Sequence, residues 1–289
     1  MVLSKLKQIF LGGGRANIKQ RFDIKSKSSM GSMSQVYRAF DKQSKKQVCL
    51  KILDKAKTAK FEARFVGRKK PPEGEISLDL HHPHVVETFE HGLTTNGEVY
   101  LVQEWVDGTG LRALIGEHHE RLEGNRLAIL SQVADAVEYM HQDKYLHRDI
   151  CPRNVLVTAQ IQVKLIDFGL TLPYRPEFCR PGNLTGTPQY LAPEIMKRSP
   201  TDHRVDLFAL GVTAYETFTG QLPWGEYDSP DLLYRSMVAR AGSDPREHLP
   251  HLDEATALFL MKAIEREPAK RFQTAAAFHD AIKKLPKKW

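Results

Sequence analysis

The chain has 289 residues, with 42 Lys or Arg against 35 Asp or Glu, so its formal net charge is +7. At 41% hydrophobic and 27% charged residues, its composition excludes both a disordered tail and a bundle of membrane helices. No stretch approaches eighteen consecutive apolar residues, and three widely spaced cysteines give neither a disulfide framework nor paired zinc ligands. We therefore expect a cytoplasmic protein without a membrane span. The length fits one large domain, or two lobes folded around a shared cleft.

The charge is unevenly placed along the chain. Residues 1–70 contain 19 Lys or Arg and 4 Asp or Glu, whereas the remainder is acidic overall. Such asymmetry is compatible with a nucleic-acid surface or an anionic membrane contact. However, no aromatic residues alternate with the basic ones, as they would in a single-strand binder. We interpret the basic region as a solvated lobe, with nucleic acid kept as a minor alternative.

The first third of the chain predicts short strands. Residues 20–53 alternate apolar and polar side chains in three runs, FDI, VYRAFD and QVCLKIL. Residues 61–80 predict a helix. Two further strands, VVETFEHGL and EVYLVQEWV, follow with Asn96-Gly97 at the turn between them. This first lobe is expected to end near Asp107-Gly108.

Helical periodicity dominates the remainder. Apolar residues recur at three- and four-residue steps through 125–145, which predicts an amphipathic helix. Two short strands, NVLV and VKLIDF, come next. The further helices are predicted at 203–219, 230–241, 253–265 and 272–284. A mostly β lobe followed by a mostly α lobe gives an α+β protein, with a cleft expected between the lobes.

Two polar motifs follow the helix predicted at 125–145. Residues 147–154 read HRDICPRN, and Asp167 begins an Asp-Phe-Gly triplet at the end of a predicted strand. This order of Asp149, Asn154 and Asp167 suits Mg²⁺-dependent phosphoryl transfer to a hydroxyl. One carboxylate accepts the hydroxyl proton, while an amide and a second carboxylate hold the metal against the phosphates.

The arrangement of motifs resembles the protein kinase family, in its serine/threonine-like form. Val48-Cys49-Leu50-Lys51 precedes the two motifs and Ala192-Pro193-Glu194 follows them, so the agreement does not rest on one triplet. The resemblance extends over residues 22–284. It implies a two-lobed α+β fold, with a small mostly β N-terminal lobe that carries one helix and a larger mostly α C-terminal lobe.

The resemblance also implies a domain organisation. An N-terminal extension covers 1–19, and the kinase domain covers 20–285. Within that domain the N-terminal lobe spans about 20–107 and the C-terminal lobe about 108–285. Residues 286–289 form a basic tail.

ATP-binding residues are implied in the first lobe. Lys51 is expected to contact the α- and β-phosphates and to pair with an acid of the first-lobe helix. Family spacing places that acid at Glu73, with Glu75 as the alternative. The backbone groups of Glu104 and Val106, in the implied hinge between the lobes, would receive the adenine edge.

The implied phosphate loop is degenerate. Aligned on Val36, the three glycine positions of the family fall on Ser29, Gly31 and Ser34, so only the middle glycine is present. That glycine is the one whose missing side chain lets the backbone approach phosphate. We expect weaker nucleotide binding, but not its loss.

Three further residues are implied to hold the site rigid. Glu194 is expected to form a buried ion pair with Arg271. Asp206, five residues before a glycine at 211, matches the acid that anchors the backbone of the catalytic loop.

The catalytic loop departs from the serine/threonine pattern at one position. The family usually carries Lys two residues after the catalytic Asp, where it neutralises the transferred phosphoryl group, and here that residue is Cys151. Arg153, four residues after Asp149, occupies the position of an Arg that serves a related purpose in receptor-type tyrosine kinases. Arg153 is therefore a candidate catalytic cation. It also argues against a preference for arginine-rich substrates.

Residues 170–186 correspond to the family's activation loop. Arg148 is the arginine that usually receives a phosphate on this loop. The usual phosphorylated position, four residues before Thr187, is Asn183, and Thr185 is the nearest hydroxyl. Phosphorylation of Thr185 is therefore a hypothesis for regulation.

Three functions are compatible with these features. The first is a serine/threonine protein kinase that transfers the γ-phosphate of ATP to protein hydroxyls with Mg²⁺, or with Mn²⁺ as an alternative. The second is a pseudokinase, a nucleotide-binding scaffold, which the degenerate phosphate loop and Cys151 would support. The third, a small-molecule phosphotransferase, is disfavoured because such relatives generally lack the Ala-Pro-Glu segment, the element from Asp206 to Gly211 and the late Arg271.

Overall fold

The computed structural model describes residues 15–30 and 34–289, and the side chains of 15–27 and 34–289. The chain divides into two compact units. The first runs to His81 and resumes over Val86–Val106, and the second comprises His82–Val85 and Asp107–Trp289. The short segment His82–Val85, which precedes a strand of the first unit, therefore belongs to the second.

The first unit is built on a five-stranded antiparallel sheet. Its strands are β1 Phe22–Met30, β2 Ser34–Asp41, β3 Lys46–Leu53, β4 Thr88–Leu93 and β5 Val99–Glu104, in the order β1-β2-β3-β5-β4. The predicted alternation is confirmed, because one face of the sheet is buried around Ala39, Leu50 and Val102. The turn between β4 and β5 contains Gly97 at φ +77°, a left-handed conformation that glycine adopts without strain.

The helices of the first unit differ from the prediction. The chain forms α1 at Ile18–Arg21, α2 at Lys55–Glu62 and α3 at Glu73–Asp79, with a short 3₁₀ turn at Ala63–Phe65. A single helix over 61–80 was therefore the wrong prediction. Proline residues at 71 and 72 interrupt it, since proline fixes φ and favours an extended residue before it. Pro72 directly precedes the first residue of α3.

The second unit is mostly helical. Its helices are α4 Leu111–Gly116, α5 Arg126–Gln142, α6 Pro193–Met196, α7 Arg204–Thr219, α8 Pro230–Ala239, α9 Glu254–Ala263 and α10 Ala275–Ile282. The predicted helices are found within a few residues of their expected ends, whereas the short α4 and α6 were not predicted. Every residue from Val205 to Phe218 in α7 is buried, so this helix forms the centre of the core.

Short strands of the second unit lie near the polar motifs. They are β6 Gly108–Gly110, β7 Tyr145–Leu146, β8 Val155–Thr158, β9 Val163–Leu165 and β10 Leu172–Pro173. Strands β8 and β9 are antiparallel, with Val155 opposite Leu165. This register brings the residue before β8 and the residues after β9 to the same end of the hairpin. Among the residues described, no helix has the length and apolar character needed to span a bilayer.

Candidate active site

Lys51 and Glu73 form a buried ion pair in the first unit. Lys51 lies on β3, opposite Val36 on β2 and Leu101 on β5, and Glu73 is the first residue of α3. Lys51 Nζ is 2.5 Å from Glu73 Oε1, and both side chains are less than 10% exposed. The ion pair predicted with Glu73 is therefore present, whereas Glu75 is exposed. Two opposite charges held together out of solvent leave the ammonium oriented rather than mobile.

The implied adenine-binding residues lie at the end of β5 and just after it. Glu104 is the last residue of this strand and is opposite Val48. Its backbone N–H donates to the Glu87 carbonyl oxygen at 2.9 Å, while its side chain accepts from the Glu87 N–H at 2.8 Å. Val106 is the last residue of the first unit and is partly buried. The bonds with Glu87 on one side and the pairing with Val48 on the other thus hold the Glu104 backbone in place.

The degenerate phosphate loop connects β1 and β2. Ser29 lies on β1 opposite Val36, and its side chain is outside the described residues. Gly31 lies wholly outside the described residues. Ser34 begins β2 and is 6% exposed. Ser29, Ser34 and Val36 therefore lie on the two paired strands β1 and β2.

Asp149 in the second unit is held by hydrogen bonds to both of its carboxylate oxygens. Oδ1 accepts from the backbone N–H and from the hydroxyl of Thr187, each at 2.8 Å. Oδ2 accepts from Asn154 Nδ2 at 2.9 Å, and the same amide donates to the Asp149 carbonyl oxygen. The carboxylate is only partly buried. A charged oxygen pair in a defined orientation, still accessible, is what a general base requires.

The Thr187 hydroxyl also lies close to Arg153 and Cys151, the two residues by which the catalytic loop departs from the usual pattern. Arg153 Nη2 donates to Thr187 Oγ1 at 3.1 Å, and the guanidinium remains exposed. Cys151 Sγ is 3.8 Å from the same oxygen, but the residue is only 1% exposed. Burial, with the nearby charge of Asp149, raises the pKa of the Cys151 thiol to about 11. Cys151 is therefore a neutral neighbour of Thr187, whereas Arg153 supplies a cation.

The loop that carries Thr187 approaches the catalytic segment very closely. Gly186 has φ +130°, and a Cβ atom there would lie 2.9 Å from the carbonyl oxygen of Arg148. Any other residue at this position would be strained and would collide with backbone. Glycine is thus required for Thr187 to reach Asp149.

The oxygen donors expected to hold a metal lie at one end of the β8–β9 hairpin. The carbonyl oxygen of Asn154 accepts from the Ile166 N–H at 2.9 Å, which brings Asn154 next to Asp167. Asp167 has φ +67°, a conformation unusual for a residue other than glycine, and its Oδ1 accepts from the Gly169 N–H at 3.2 Å. One carboxylate and one amide oxygen are hard ligands of the kind that Mg²⁺ shares with substrate phosphates. This donor set fits a divalent metal.

Asp206 anchors the backbone of the catalytic segment. The carboxylate is fully buried and accepts from the backbone N–H groups of His147 and Arg148, each at 2.9 Å. His141 Nε2 lies 3.0 Å from Asp206 Oδ2. Burial tends to raise the pKa of Asp206, but the hydrogen bond and charge of His141, the charge of His147 and the N–H of Arg148 together lower it. The anchoring expected of Asp206 is present, while His141 was not predicted.

Glu194 and Arg271 form the second expected ion pair. Both guanidinium Nη atoms donate to Glu194 at 2.8 Å, a bidentate geometry, and the Arg271 side chain is fully buried. The remaining N–H groups donate to the carbonyl oxygens of Glu265, Arg204 and Arg266. Every donor of Arg271 is therefore satisfied.

A third polar network in the second unit was not predicted. Glu216 on α7 is 1% exposed and accepts from the Tyr190 hydroxyl and from Arg112. Burial raises the pKa of Glu216, and both partners oppose that shift. Tyr190 lies three residues after Thr187, so this network fixes the segment that positions Thr187. No local pattern links residues so far apart in the chain.

The comparisons with known proteins agree with this geometry. The family model described as protein kinase domain matches residues 22–282. A probable serine/threonine-protein kinase of Streptomyces coelicolor is 32% identical over 88% of this chain. The serine/threonine-protein kinases pkn3 of Myxococcus xanthus and PknB of Mycobacterium tuberculosis are each 29% identical, over 93% and 90% of this chain.

The chain spans only part of these relatives. It covers 38% of the Streptomyces protein, 51% of pkn3 and 42% of PknB. Since the family model matches about nine-tenths of the chain, the matched part of the relatives is the two-lobed α+β domain described above. This chain belongs to the protein kinase domain family.

Proposed function

We propose that the chain is a serine/threonine protein kinase that transfers the γ-phosphate of ATP to protein hydroxyls. The observation that carries the proposal is the group around Asp149, in which Thr187 and Asn154 hold the carboxylate while Arg153 adds a cation. The names of the relatives support the acceptor class. The buried Lys51–Glu73 pair supports phosphate binding, because an oriented ammonium suits a phosphate oxygen.

Each residue has a distinct role in the proposed reaction. Asp149 accepts the proton of the acceptor hydroxyl as the oxygen attacks the γ-phosphorus, and the bond to the β-phosphate oxygen breaks. Arg153 stabilises the charge that develops on the transferred group, in place of the lysine that Cys151 replaces. Lys51 binds the α- and β-phosphates, and Glu73 holds Lys51 in position.

Nucleotide and metal binding complete the proposal. Asn154 and Asp167 would hold a divalent metal, Mg²⁺ or Mn²⁺, which neutralises phosphate charge when bound. We assign the adenine edge to the backbone at Glu104 and Val106, and the phosphate loop to Ser29, Gly31, Ser34 and Val36. The free thiols of Cys49, Cys151 and Cys179 favour a reducing, cytoplasmic location.

A nucleotide-binding scaffold is the second candidate. Two serines at glycine positions of the phosphate loop and the absence of the usual lysine at 151 favour it. The presence of Lys51, Asp149, Asn154 and Asp167 argues against it, since each group needed for transfer is available.

Phosphate transfer from labelled Mg-ATP distinguishes the two candidates. The wild-type chain should label Ser or Thr of itself or of a generic acceptor protein. Asp149→Asn should reduce the rate by about 10²–10⁴-fold while ATP still raises the melting temperature. Asp143→Asn, which alters an exposed aspartate after α5, serves as the matched control and should transfer normally. Nucleotide binding without transfer in the wild type would establish the scaffold instead.

A further inference from the structure

Helix α2 and the turn after it carry a dense group of exposed cations. The segment 55–69 contains six basic residues and a single acid, Glu62. Five of the six basic residues are exposed, namely Lys55, Lys57, Lys60, Arg64 and Lys69. Part of the positive charge of the first 70 residues is therefore concentrated on the surface of fifteen consecutive residues, which we call the basic surface.

The carboxylates in and beside this segment are engaged with their own neighbours. Glu62 Oε1 accepts from Lys70 Nζ at 2.9 Å, and the side chain of Lys70 is only 2% exposed. Asp54 is the residue before α2, and its side chain accepts from the backbone N–H of Lys57 at 2.9 Å. The exposed cations therefore determine the charge that the basic surface presents to solvent.

The orientation of α2 is fixed by two buried rings. Phe61 and Phe65 are each at most 5% exposed, and their rings meet edge to face with centres 5.2 Å apart. The exposed residues of α2 are all lysine or alanine. Because alanine is small, it lets a broad surface approach the lysine side chains closely. The outer side of the helix is thus suited to a large anionic partner.

An apolar side chain lies among these cations. Val66 is 82% exposed, the highest value among the large hydrophobic residues that the structure describes, and Arg64 and Arg68 flank it two residues away on either side. Gly67 follows with φ +80°, and a Cβ atom there would meet nothing within 4 Å, so the turn is open to solvent. Burial of an exposed aliphatic side chain is favourable. A partner that is both anionic and apolar would therefore satisfy this turn.

A nucleic acid matches the charge of the basic surface but not its apolar part. Proteins bind single strands by stacking bases on exposed aromatic rings, whereas both rings of this segment are buried. The phosphates of a duplex would attract the lysines but would leave Val66 in water. An anionic bilayer offers both parts, because its head groups attract cations and its acyl chains begin directly below them.

We propose that the basic surface binds the head groups of an anionic lipid bilayer. The exposed lysines and Arg64 lie against the head groups, and Val66 enters the boundary with the acyl chains. This attraction acts over about one Debye length, so binding requires close contact and weakens as salt is added. Binding requires neither nucleotide nor acceptor protein, so it is independent of the proposed activity.

Sedimentation of the full chain with vesicles, without nucleotide, tests the proposal. In about 0.1 M KCl the protein should sediment with vesicles of phosphatidylcholine and phosphatidylserine but not with phosphatidylcholine alone, and about 0.5 M KCl should release it. The test variant Lys55→Gln/Lys60→Gln/Lys69→Gln should lower the partition coefficient by about tenfold or more. Val66→Ser leaves the charge unchanged and should lower the partition coefficient several-fold.

The matched control is Lys197→Gln/Lys284→Gln/Lys287→Gln, which removes three exposed lysines of the second unit and lowers the net charge equally. It should bind as the wild type does, and melting temperatures show which variants are folded. Failure of the wild type to bind anionic vesicles, an equal loss in both triple variants, or an unchanged partition coefficient in either test variant would each overturn the proposal. So would binding of a nucleic-acid duplex without binding of vesicles. If the first triple variant does not fold, Val66→Ser decides.

Discussion

Arg271 and Arg148 are two buried arginines of the same unit, and their surroundings are opposite. All five N–H groups of Arg271 have acceptors, including both oxygens of Glu194, and its guanidinium lies 4.8 Å from the ring centre of Phe208. Among the residues that the structure describes, Arg148 has one acceptor, the carbonyl oxygen of Asn183. A fully satisfied buried charge maintains the fold, whereas a buried charge with few acceptors contributes less to stability. The comparison predicts which substitutions should affect stability and which should affect binding or catalysis.

Arg271→Met tests the satisfied arginine and should have the largest effect on stability. The substitution leaves Glu194 and three carbonyl oxygens without their donor, and removal of one partner of a buried pair costs about 3–5 kcal/mol. The melting temperature should fall by on the order of 10 °C, as measured by calorimetry. Lys270→Met is the control, because its pair with Glu267 is exposed and should leave the melting temperature nearly unchanged. Equal destabilisation in both variants would contradict the distinction between satisfied and exposed pairs.

Arg153→Gln tests a cation with a single hydrogen bond, and here the effect should be on rate. Its hydrogen-bond partner in the described part of the chain is Thr187 Oγ1, and the side chain is exposed, so stability should change little. Loss of a charge that stabilises the transferred group should lower kcat by about 10²-fold, with a smaller change in KM for ATP.

Cys151→Lys should restore part of that activity in the Arg153→Gln background. The new side chain begins beside the same hydroxyl, since Cys151 Sγ lies 3.8 Å from Thr187 Oγ1. Arg175→Gln removes an exposed arginine of the segment 170–186 and serves as the control. Full activity of Arg153→Gln, or a lowered melting temperature as its main defect, would remove Arg153 from the proposed reaction.

Sequence patterns identified the parts of the site that are local in the chain. Asp149 and Asn154 lie five residues apart in one segment, and the strand that places Lys51 has clear alternation. The Lys51–Glu73 and Glu194–Arg271 pairs were also predicted, because the family resemblance supplies distant partners that periodicity alone does not. The helix prediction over 61–80 was wrong because the range includes two consecutive prolines, which physically interrupt a helix.

The unpredicted features depend on tertiary packing. His141 reaches Asp206 across 65 residues, and Arg112 reaches Glu216 across 104. When two residues of common type lie this far apart, a single sequence contains no pattern that predicts their contact. The sequence likewise does not reveal that Nε and Nη1 of Arg148 lack acceptors in the described part of the chain, because this depends on how the chain folds. Local motifs therefore predict which residues react, and only the fold shows which charges remain unsatisfied.

The smallest effect is expected from His147, a buried titratable group beside Arg148. Its ring is 1% exposed, and Nδ1 accepts from the Asp149 N–H at 3.2 Å. Burial lowers the pKa of His147 from its usual value near 6.5, although the charges of Asp206, Asp149 and Asp167 act in the opposite direction. The unfolded chain therefore binds a proton more readily than the folded one. Stability should be maintained above about pH 6.5 and should decrease as the pH falls below it, with a slope of at most about 1.4 kcal/mol per pH unit from this residue.

Urea unfolding between pH 5 and 7.5 measures that slope. His147→Asn keeps an acceptor for the Asp149 N–H but does not titrate, so the dependence of its unfolding free energy on pH should be weaker than that of the wild type. His251→Gln, at an exposed histidine, should reproduce the wild-type slope and serves as the control. The same slope in His147→Asn and the wild type would mean that His147 is protonated as easily in the folded state as in the unfolded one. Burial would then be balanced by the charges of the three carboxylates Asp206, Asp149 and Asp167.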